Sequence, residues 1–417
     1  MFFFRAVALA LWFSFIIECL GHTQFGLEER AYTCTVAANG DGSDDTQNIL
    51  DAFEECNKSG RTIIFSKDTT YYVNQVMNTT SLNNVTIDIY GTLLWSTDTD
   101  YWLNNSMPVG YQNQSTVWFL GGNNLKVNGH GTGTINGNGQ TWYNLVKGIS
   151  NYPNRPMGLT IWGAKDSVFS GLTFLQSQMW TMAIIHSENI LLENFNVSSR
   201  TNNGYPARNT DGADLLFSNN VTFRGWTVNN GDDSISLKAN STNVLVEDCY
   251  FERGLGLALG SIGQYVDQFE TIENVTARNI RSNNTLHTVY FKTWTGEQVG
   301  YPPNGGGGGL GYISGISIDG WEATYLRDAA VLITQCTTFS GTAGDCNSSK
   351  FQLKDITVKN VSGSSASSYV ANLQCSEDSG GCIDIEIDDV DLVDTGTGDD
   401  VAGYKCKNIV DPIGFDC

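Results

Sequence analysis

Short segments in which apolar and polar residues alternate recur along the chain, separated by polar turns. Four segments share one form, an asparagine followed by an apolar residue and by a second two positions later. They place Ile190, Val221, Val244 and Val275 at intervals of 31, 23 and 31 residues. Alternation with a period of two predicts β-strands, and repetition at this interval predicts one solenoid coil per repeat. The pattern therefore predicts an all-β fold, a single right-handed parallel β-helix.

A β-sandwich is the alternative fold that the many short strands leave open. Further copies of the repeat occur at residues 314–320 and 353–361. A sandwich would not favour asparagine at equivalent positions of successive units. Stacked coils do favour it, because asparagine tolerates the left-handed turn and can form ladders with the coil above.

One early segment has helical rather than alternating periodicity. In residues 46–56, Ile49, Phe53 and Cys56 recur at helical spacing, and Asp44 or Asp45 is a candidate N-cap. A solenoid exposes its core at its first coil unless that end is covered. We therefore predict a short N-terminal capping helix.

The first 21 residues have the pattern of a secretory signal peptide. Arg5 provides the positive charge, and the apolar run at 6–17 is too short to span a bilayer. We expect a single β-helix domain at 22–417, in a secreted, extracellular protein without a membrane partner. The Gly305–Gly309 run is interpreted as a mobile loop within that domain.

Cysteine spacing and glycosylation sequons agree with export. The close pairs Cys336–Cys346, Cys375–Cys382 and Cys406–Cys417 predict small disulfide loops, Cys34–Cys56 is a plausible fourth pair, and Cys249 is left over. Twelve asparagines stand in Asn-x-Ser/Thr sequons and are candidate glycosylation sites: Asn57, Asn78, Asn84, Asn104, Asn113, Asn196, Asn220, Asn240, Asn274, Asn283, Asn347 and Asn360.

The net charge of −21 and the sequence pI of about 4.4 restrict the partners. Such a chain repels nucleic acid, so no nucleic-acid partner is expected. It would also repel an anionic polymer at neutral pH, so an anionic substrate implies an acidic working pH. No cofactor or metal is predicted, and a monomer is expected.

Three aspartates are the strongest candidates for chemistry. Asp211 and Asp232 are 21 residues apart, close to one repeat, and Asp233 follows directly. Neighbouring coils are roughly 4.8 Å apart, so two carboxylates one repeat apart project from the same face. Like charges at this range raise at least one pKa, which provides a general acid beside an ionised base. Alone, Asn-x-Asp-Gly and Gly-Asp-Asp are also ordinary turn sequences.

Several motifs in order carry a family resemblance: residues 129–140 with Trp142, Asn209-Thr210-Asp211, Gly231-Asp232-Asp233, residues 260–263 and Lys292. With them the chain resembles glycoside hydrolase family 28, the polygalacturonase family. The resemblance implies an enzyme that hydrolyses pectin with inversion. It makes Asp232 the general acid and Asp211 and Asp233 the carboxylates that activate water, with roughly 6.5–9.5 Å between acid and base.

The resemblance also implies substrate contacts, and it shows departures. Lys292, Tyr290, Asn209 and Gly256 fall in the family's motifs and are predicted to bind substrate. Leu255 stands where the family has a histidine, and Tyr290 where it has an arginine that would bind a sugar carboxylate. Fungal exo-acting members share both departures. Where the family often has a cysteine partner for Cys249, this chain has a serine, Ser234, so Cys249 is expected to be a buried free thiol.

These motifs leave four hypotheses. The first is exo-hydrolysis that releases terminal galacturonate from homogalacturonan, which Lys292 favours. The alternative is an exo-acting α-L-rhamnosidase, with which Tyr290 is compatible, as is the run 300–309, which resembles exo-rhamnogalacturonases. A calcium-dependent pectate lyase is remote, because we identify no arginine near the aspartates as its base. A non-catalytic carbohydrate-binding β-helix is the fourth. Trp180, Tyr265 and Trp294 are candidate cleft aromatics.

Overall fold

The computed structural model describes residues 32–58, 60–338 and 344–417. These residues contain 33 β-strands and three α-helices. Thirty-one strands run parallel in three stacks, here called sheets 1, 2 and 3, and each coil contributes one strand to each stack in most of the chain. The parallel β-helix prediction is confirmed, and the sandwich alternative is wrong. The predicted signal peptide at 1–21 lies outside the described residues.

The strands divide among the sheets as follows. Sheet 1 contains β1 (Thr33–Thr35), β2 (Arg61–Phe65), β5 (Val85–Ile89), β10 (Lys126–Asn128), β13 (Lys165–Ser170), β16 (Glu188–Glu193), β19 (Asn219–Arg224), β22 (Ser241–Glu247), β25 (Phe269–Asn283), β27 (Leu310–Leu326), β29 (Lys350–Ser365), β31 (Cys382–Asp394) and β33 (Ile409–Val410). Sheet 2 contains β3 (Thr70–Val73), β6 (Thr92–Trp95), β11 (Thr134–Asn136), β14 (Thr173–Leu175), β17 (Asn196–Ser198), β20 (Thr227–Asn229) and β23 (Tyr250–Glu252), and continues into the second halves of β25, β27, β29 and β31. Sheet 3 contains β4 (Met77–Asn83), β9 (Trp118–Asn123), β12 (Leu159–Trp162), β15 (Met182–Ile185), β18 (Asp214–Leu216), β21 (Ile235–Leu237), β24 (Leu257–Ile262), β26 (Val289–Trp294), β28 (Val331–Thr337), β30 (Tyr369–Gln374) and β32 (Gly403–Lys407). The remaining strands, β7 (Met107–Pro108) and β8 (Ser115–Thr116), form a small antiparallel pair.

The repeat predicted from the sequence is the register of sheet 1. Ile190 lies beside Val221, Val221 beside Val244, and Val244 beside Val275, each on the neighbouring coil. Their side chains are buried in the core. The asparagine that precedes each apolar pair adopts a positive φ, and Asn220 donates through Nδ2 to Asn189 Oδ1 at 2.8 Å. This ladder lies on the exposed side of the turns.

The capping helix α1 spans Thr46–Glu55 and buries Ile49, Ala52 and Phe53. Phe53 packs edge-on against Trp118 in the core, with 6.0 Å between ring centroids. Asp45 occupies the N-cap position, while the Thr46 N–H donates to the Asp44 carboxylate. The helix thus covers apolar side chains at the start of the solenoid. Helices α2 (Thr99–Asn105) and α3 (Gly139–Val146) were not predicted.

Disulfides close the loops that the cysteine spacing indicated. Bonds join Cys34 to Cys56, Cys336 to Cys346, Cys375 to Cys382 and Cys406 to Cys417. Cys249 is a free, buried thiol. All twelve sequon asparagines are exposed or half-buried. Within the described ranges, no helix is long and apolar enough to cross a membrane.

The Gly305–Gly309 run is buried and held by main-chain hydrogen bonds, so the expectation of a mobile loop is wrong. Gly306 and Val299 exchange hydrogen bonds at 3.0 and 3.1 Å, and the Gly309 N–H donates to Gly263 O at 3.1 Å. A Cβ on Gly309 would lie 2.5 Å from Gly263 Cα. Glycine is needed here because two main chains approach closely.

Candidate active site

Asp211, Asp232 and Asp233 converge because they precede neighbouring strands of sheet 3. Asp211 lies just before β18, and the other two lie just before β21 on the next coil. One carboxylate oxygen from each can be chosen so that all three lie within 4.8 Å of one another. A cation could also be ligated at this distance, but three carboxylates alone do not specify one. The acid–base separation of roughly 6.5–9.5 Å is measured between whole carboxyl groups rather than between their nearest oxygens, and it stays a prediction.

The carboxylates open into a cleft of about 620 Å³ on the outer face of sheet 3. Its lining residues are Gln112, Ile149, Ser150, Asn151, Trp180, Arg208, Asn209, Asp211, Asp232, Asp233, Lys238, Ser261, Lys292, Trp294, Pro303, Asn304, Thr337 and Thr338. Ser236 and Ala258 lie side by side on this face, between Asp214 and Tyr290. Because these two side chains are small, the sheet leaves room for a sugar ring above it.

Asp232 is held by main-chain groups on both carboxylate oxygens. The Asn209 N–H donates to Oδ2 at 3.0 Å, and the Asp233 N–H donates to Oδ1 at 3.1 Å. Asn209 reaches this position with a φ of 56°, which asparagine tolerates better than most residues. Its side chain accepts from the Asn151 N–H at 2.8 Å. Although Leu255 removes the expected histidine, the acid is still oriented by the backbone.

Asp233 is buried and contacts Tyr290 and Lys292, which lie in the segment where the chain departs from the family's motif. The Tyr290 hydroxyl donates a hydrogen bond to Oδ1, and Lys292 Nζ lies 3.7 Å from Oδ2. Burial raises the pKa of Asp233 to about 6, with Lys292 opposing the rise and Asp232 adding to it. Tyr290, predicted to bind substrate, is buried and its hydroxyl group orients this carboxylate.

Asp211 is the least compensated carboxylate of the three. It is 3% exposed, and its Oδ1 has no hydrogen-bond partner among the described residues. Burial raises its pKa well above the ordinary value, and the charges of Asp214, Asp232 and Asp233 add to the rise. At acidic pH the cluster therefore retains at least one proton, which neighbouring carboxyl groups can share.

A buried ion pair under the cleft was missed by the sequence reasoning. Lys238 Nζ lies 3.3 Å from Asp214 Oδ1, and the two side chains are 5% and 0% exposed. Lys238 also lies over the Trp180 ring, 5.1 Å from its centroid. Burial raises the pKa of Asp214 to about 7, although Lys238 opposes this. A lysine in an alternating strand usually faces solvent, so the sequence carried no signal for this pair.

Buried Arg155 fixes the loop that carries Asp211. Its Nη1 donates to Arg208 O at 2.9 Å. Burial lowers the pKa of Arg155 to about 10, and the charges of Asp211 and Asp232 act in the opposite direction. Contrary to expectation, an arginine does lie near the aspartates, because Arg208 stands three residues before Asp211 and lines the cleft.

Loops from distant parts of the chain meet above the site. Asn151 Nδ2 donates to Asn304 Oδ1 at 3.1 Å, which joins the loop after α3 to the segment before the glycine run. Gln264 accepts from Gln112 Nε2 at 2.6 Å and donates to Gly305 O at 3.0 Å. The cleft is thereby walled by hydrogen-bonded loops.

Two of the remaining candidates lie outside the cleft. Gly256 does not line it; its carbonyl accepts from the Ser234 N–H at 2.9 Å, and a Cβ there would lie 2.4 Å from His287 O. Glycine permits a close backbone turn at this position, and the predicted substrate contact of Gly256 stays a prediction. Tyr265 accepts from the Gln112 N–H in an adjacent cavity. Trp180 and Trp294 do line the cleft.

The buried carboxyls predict that the folded chain is more stable at acidic pH. The pKa values of Asp214 and Asp233 rise to about 7 and about 6, and that of Asp211 also rises, from ordinary values of 3.8. The folded state therefore holds protons that the unfolded state has released, and this stabilisation is lost as pH rises through 6 and 7. We expect the melting temperature to be higher at pH 5 than at pH 7.5.

The same measurement on variants identifies the groups responsible. Asp211→Asn should flatten the pH dependence, because the variant no longer has to bury a carboxylate at pH 7.5. Asp399→Asn, the same change at an exposed site, should leave the dependence unaltered. A melting temperature that rises from pH 5 to pH 7.5 would show that the sign is wrong.

Comparison with known proteins places these residues in a family context. Residues 56–414 match the model of "Glycosyl hydrolases family 28". The chain is 50% identical over 414 residues to "Alpha-L-rhamnosidase rgxB" of Aspergillus niger, covering 99% of this chain and 96% of the relative. It is 37% identical over 395 residues to "Putative galacturan 1,4-alpha-galacturonidase A" of Aspergillus niger, covering 88% and 89%. The crystal structure of an endo-xylogalacturonan hydrolase from Aspergillus tubingensis superposes with a TM-score of 0.77 at 28% identity, covering 92% and 98%.

Proposed function

The chain belongs to glycosyl hydrolase family 28 and is a glycoside hydrolase, and from this premise we propose that it is an exo-acting α-L-rhamnosidase. It removes terminal L-rhamnose from rhamnogalacturonan, the pectic chain in which rhamnose and galacturonate alternate. The relative at 50% identity is named an α-L-rhamnosidase, whereas the galacturonidase-named relative is 37% identical. Galacturonate release, the first hypothesis from the sequence, is therefore less well supported.

The observation that carries the proposal is the state of the cations around the terminal-sugar position. Tyr290 replaces the family's carboxylate-binding arginine, and its hydroxyl is bonded to Asp233. Lys292 lies 3.7 Å from that same carboxylate, and Lys238 lies 3.3 Å from Asp214. Since each lysine already lies beside a buried carboxyl group of the protein, a 6-deoxy sugar without a charge fits this position better than an acid sugar.

The carboxylates supply the hydrolysis. Asp232 gives its proton to the glycosidic oxygen as the bond to the anomeric carbon of rhamnose breaks. Asp211 and Asp233 hold a water, and one of them takes its proton while the water oxygen bonds to that carbon. Water thus enters from the face opposite the departing sugar, so the product is inverted. The Tyr290 hydrogen bond keeps Asp233 in place for this step.

Exo action is supported by the loops around the cleft. The Asn151–Asn304 hydrogen bond and the Gln112–Gln264 contact join loops that would have to separate for a long chain to lie across the site. A cleft walled in this way admits a chain end rather than a chain interior. Terminal release of one sugar per event follows.

Galacturonate release remains the second candidate, because Lys292 is a half-buried cation on the cleft wall. A carboxylate substrate could compete with Asp233 for it. This candidate also has the galacturonidase-named relative in its favour.

Export is part of the proposal. Residues 1–21 have the pattern of a signal peptide, the sequons are accessible, and four disulfides staple the fold. Disulfides of this kind form and persist in oxidising compartments. We propose that the active species is an extracellular monomer consisting of a single domain at 22–417.

A product profile tests the substrate. The purified protein is incubated separately with rhamnogalacturonan oligosaccharides ending in rhamnose and with polygalacturonate, and products are separated by chromatography. We expect rhamnose as the sole early product of the first substrate and no product from the second. Galacturonic acid from polygalacturonate, with no rhamnose from the other substrate, would establish the second candidate.

A further inference from the structure

Among the residues that the structure describes, one cation of the cleft has no acidic partner. The basic lining residues of the cleft are Arg208, Lys238 and Lys292. Lys238 and Lys292 each lie within 4 Å of a buried aspartate. Arg208 is exposed, and no ion pair or side-chain hydrogen bond involves its guanidinium within the part of the chain that the structure describes. An arginine left uncommitted beside buried carboxylates can accept an anion from outside.

The backbone of Arg208 is fixed directly beside the catalytic acid. Its carbonyl accepts from buried Arg155 at 2.9 Å. The next N–H, that of Asn209, donates to Asp232 Oδ2 at 3.0 Å. These two hydrogen bonds hold both polar groups of the peptide unit between Arg208 and Asn209. The position of the Arg208 Cα, from which the side chain extends, is therefore fixed. That point lies on the acid's side of the cleft.

The acid's side is where the departing sugar lies. In the proposed mechanism Asp232 protonates the oxygen that leaves with this sugar, whereas Asp211 and Asp233 activate a water on the opposite face. In rhamnogalacturonan the sugar after a terminal rhamnose is galacturonate, which carries a carboxylate. The neighbouring aspartates would repel this group unless a cation offsets them. Arginine binds a carboxylate through two parallel N–H···O bonds.

We propose that Arg208 forms a carboxylate-binding subsite for the galacturonate on the leaving side of the scissile bond. This inference rests on the proposed rhamnosidase function. It assigns the recognition of acidic pectin to the leaving-group side, while the terminal sugar is recognised as a neutral one. The enzyme then selects rhamnose that is attached to galacturonate over rhamnose attached to a neutral sugar.

The test compares Arg208→Gln with the wild type on two substrates. One is a rhamnose-terminated rhamnogalacturonan oligosaccharide, and the other is the same oligosaccharide with its carboxylates reduced to alcohols. Losing a charge-assisted pair should lower kcat/KM on the acidic substrate by about ten- to a hundredfold. The change should appear mainly in KM, because this contact exists before and during the transition state. On the reduced substrate the two proteins should be equal.

Two further variants separate the bidentate contact from general charge effects. Arg208→Lys keeps the charge but loses the planar guanidinium group. Its kcat/KM on the acidic substrate should therefore lie between those of the wild type and Arg208→Gln. Arg200→Gln removes the same charge from the same loop, at an exposed residue that lines a different cavity. The kcat/KM of Arg200→Gln should equal that of the wild type on both substrates. Added salt should lower kcat/KM on the acidic substrate more for the wild type than for Arg208→Gln.

Each outcome bears on one claim. If Arg208→Gln releases rhamnose from the acidic substrate as fast as the wild type, the subsite is wrong while the rhamnosidase proposal stands. If Arg208→Gln lowers kcat equally on both substrates, Arg208 only supports the acid, and the carboxylate contact is again wrong. If the wild type releases rhamnose from neither substrate, the proposed function itself fails.

Discussion

Replacing Asp232 by asparagine is expected to lower kcat by at least about a hundredfold on rhamnose-terminated oligosaccharides and to leave the fold intact. A positioned proton donor contributes about 10²–10⁴-fold, and an amide cannot donate a proton to a departing oxygen. Asparagine has the same size, and its carbonyl oxygen can still accept the Asn209 N–H that now bonds to Oδ2. Initial rates and a melting curve measure the two effects.

Changing the leaving group separates the acid from the base. The dinitrophenolate of a dinitrophenyl rhamnoside leaves without being protonated. Asp232→Asn should therefore recover much of its rate on this substrate. Asp211→Asn and Asp233→Asn should remain slow on it, because the attacking water still lacks its base. Asp399→Asn repeats the substitution at an exposed position and should be fully active. More than about a tenth of the wild-type kcat in Asp232→Asn on the natural substrate would overturn the acid assignment.

Replacing Lys238 by methionine is expected to destabilise the protein by about 1 kcal/mol more at pH 7.5 than at pH 4.5, because at pH 7.5 it removes the counter-ion of Asp214 and the buried carboxyl group must take up a proton instead. The pair is 3.3 Å apart and shielded from solvent. At pH 4.5 this additional loss should be absent. The pKa of Asp214 is about 7 even though Lys238 lowers it. Without the lysine, the carboxyl group is therefore already protonated at pH 4.5. Urea unfolding at the two pH values measures the difference.

A second substitution tests whether the uncompensated charge is the cause. Lys238→Met combined with Asp214→Leu removes both charges, and it should recover most of the stability at pH 7.5. Lys126→Met, at an exposed position on β10, should change stability little at either pH. An equal loss at pH 4.5 and pH 7.5 would assign the effect to packing rather than to charge.

The coil repeat could be predicted because its signals are local. Ile190, Val221, Val244 and Val275 each follow an asparagine that makes a left-handed turn, and alternation places each of them inward. Parallel stacking then follows, since a coil can satisfy its backbone only through the coils above and below. The glycine run could not be assigned correctly, because five glycines have the same composition in a linker as in a close main-chain contact.

The three aspartates could be predicted because their separation is close to one coil, which turns distance in the sequence into adjacency across the sheet. Lys238 and Arg155 could not be predicted in the same way. Their partners depend on which coil is adjacent and on which face of the sheet the side chain lies. No local sequence pattern indicates that either residue is buried. Tyr290 was identified as a departure, yet its bond to Asp233 crosses 57 residues of chain.

The sequence by itself determined the β-helix, the capping helix and the aspartates that face one another, because period, turn residues and coil length are properties of neighbouring positions. Only the tertiary structure decided which charges are already paired. Within the described part of the chain, Lys238 and Lys292 are paired with aspartates and Arg208 is not, and this difference arises from burial and distance across coils. The electrostatics of recognition are therefore set by packing, while the residue types that take part are visible in the chain.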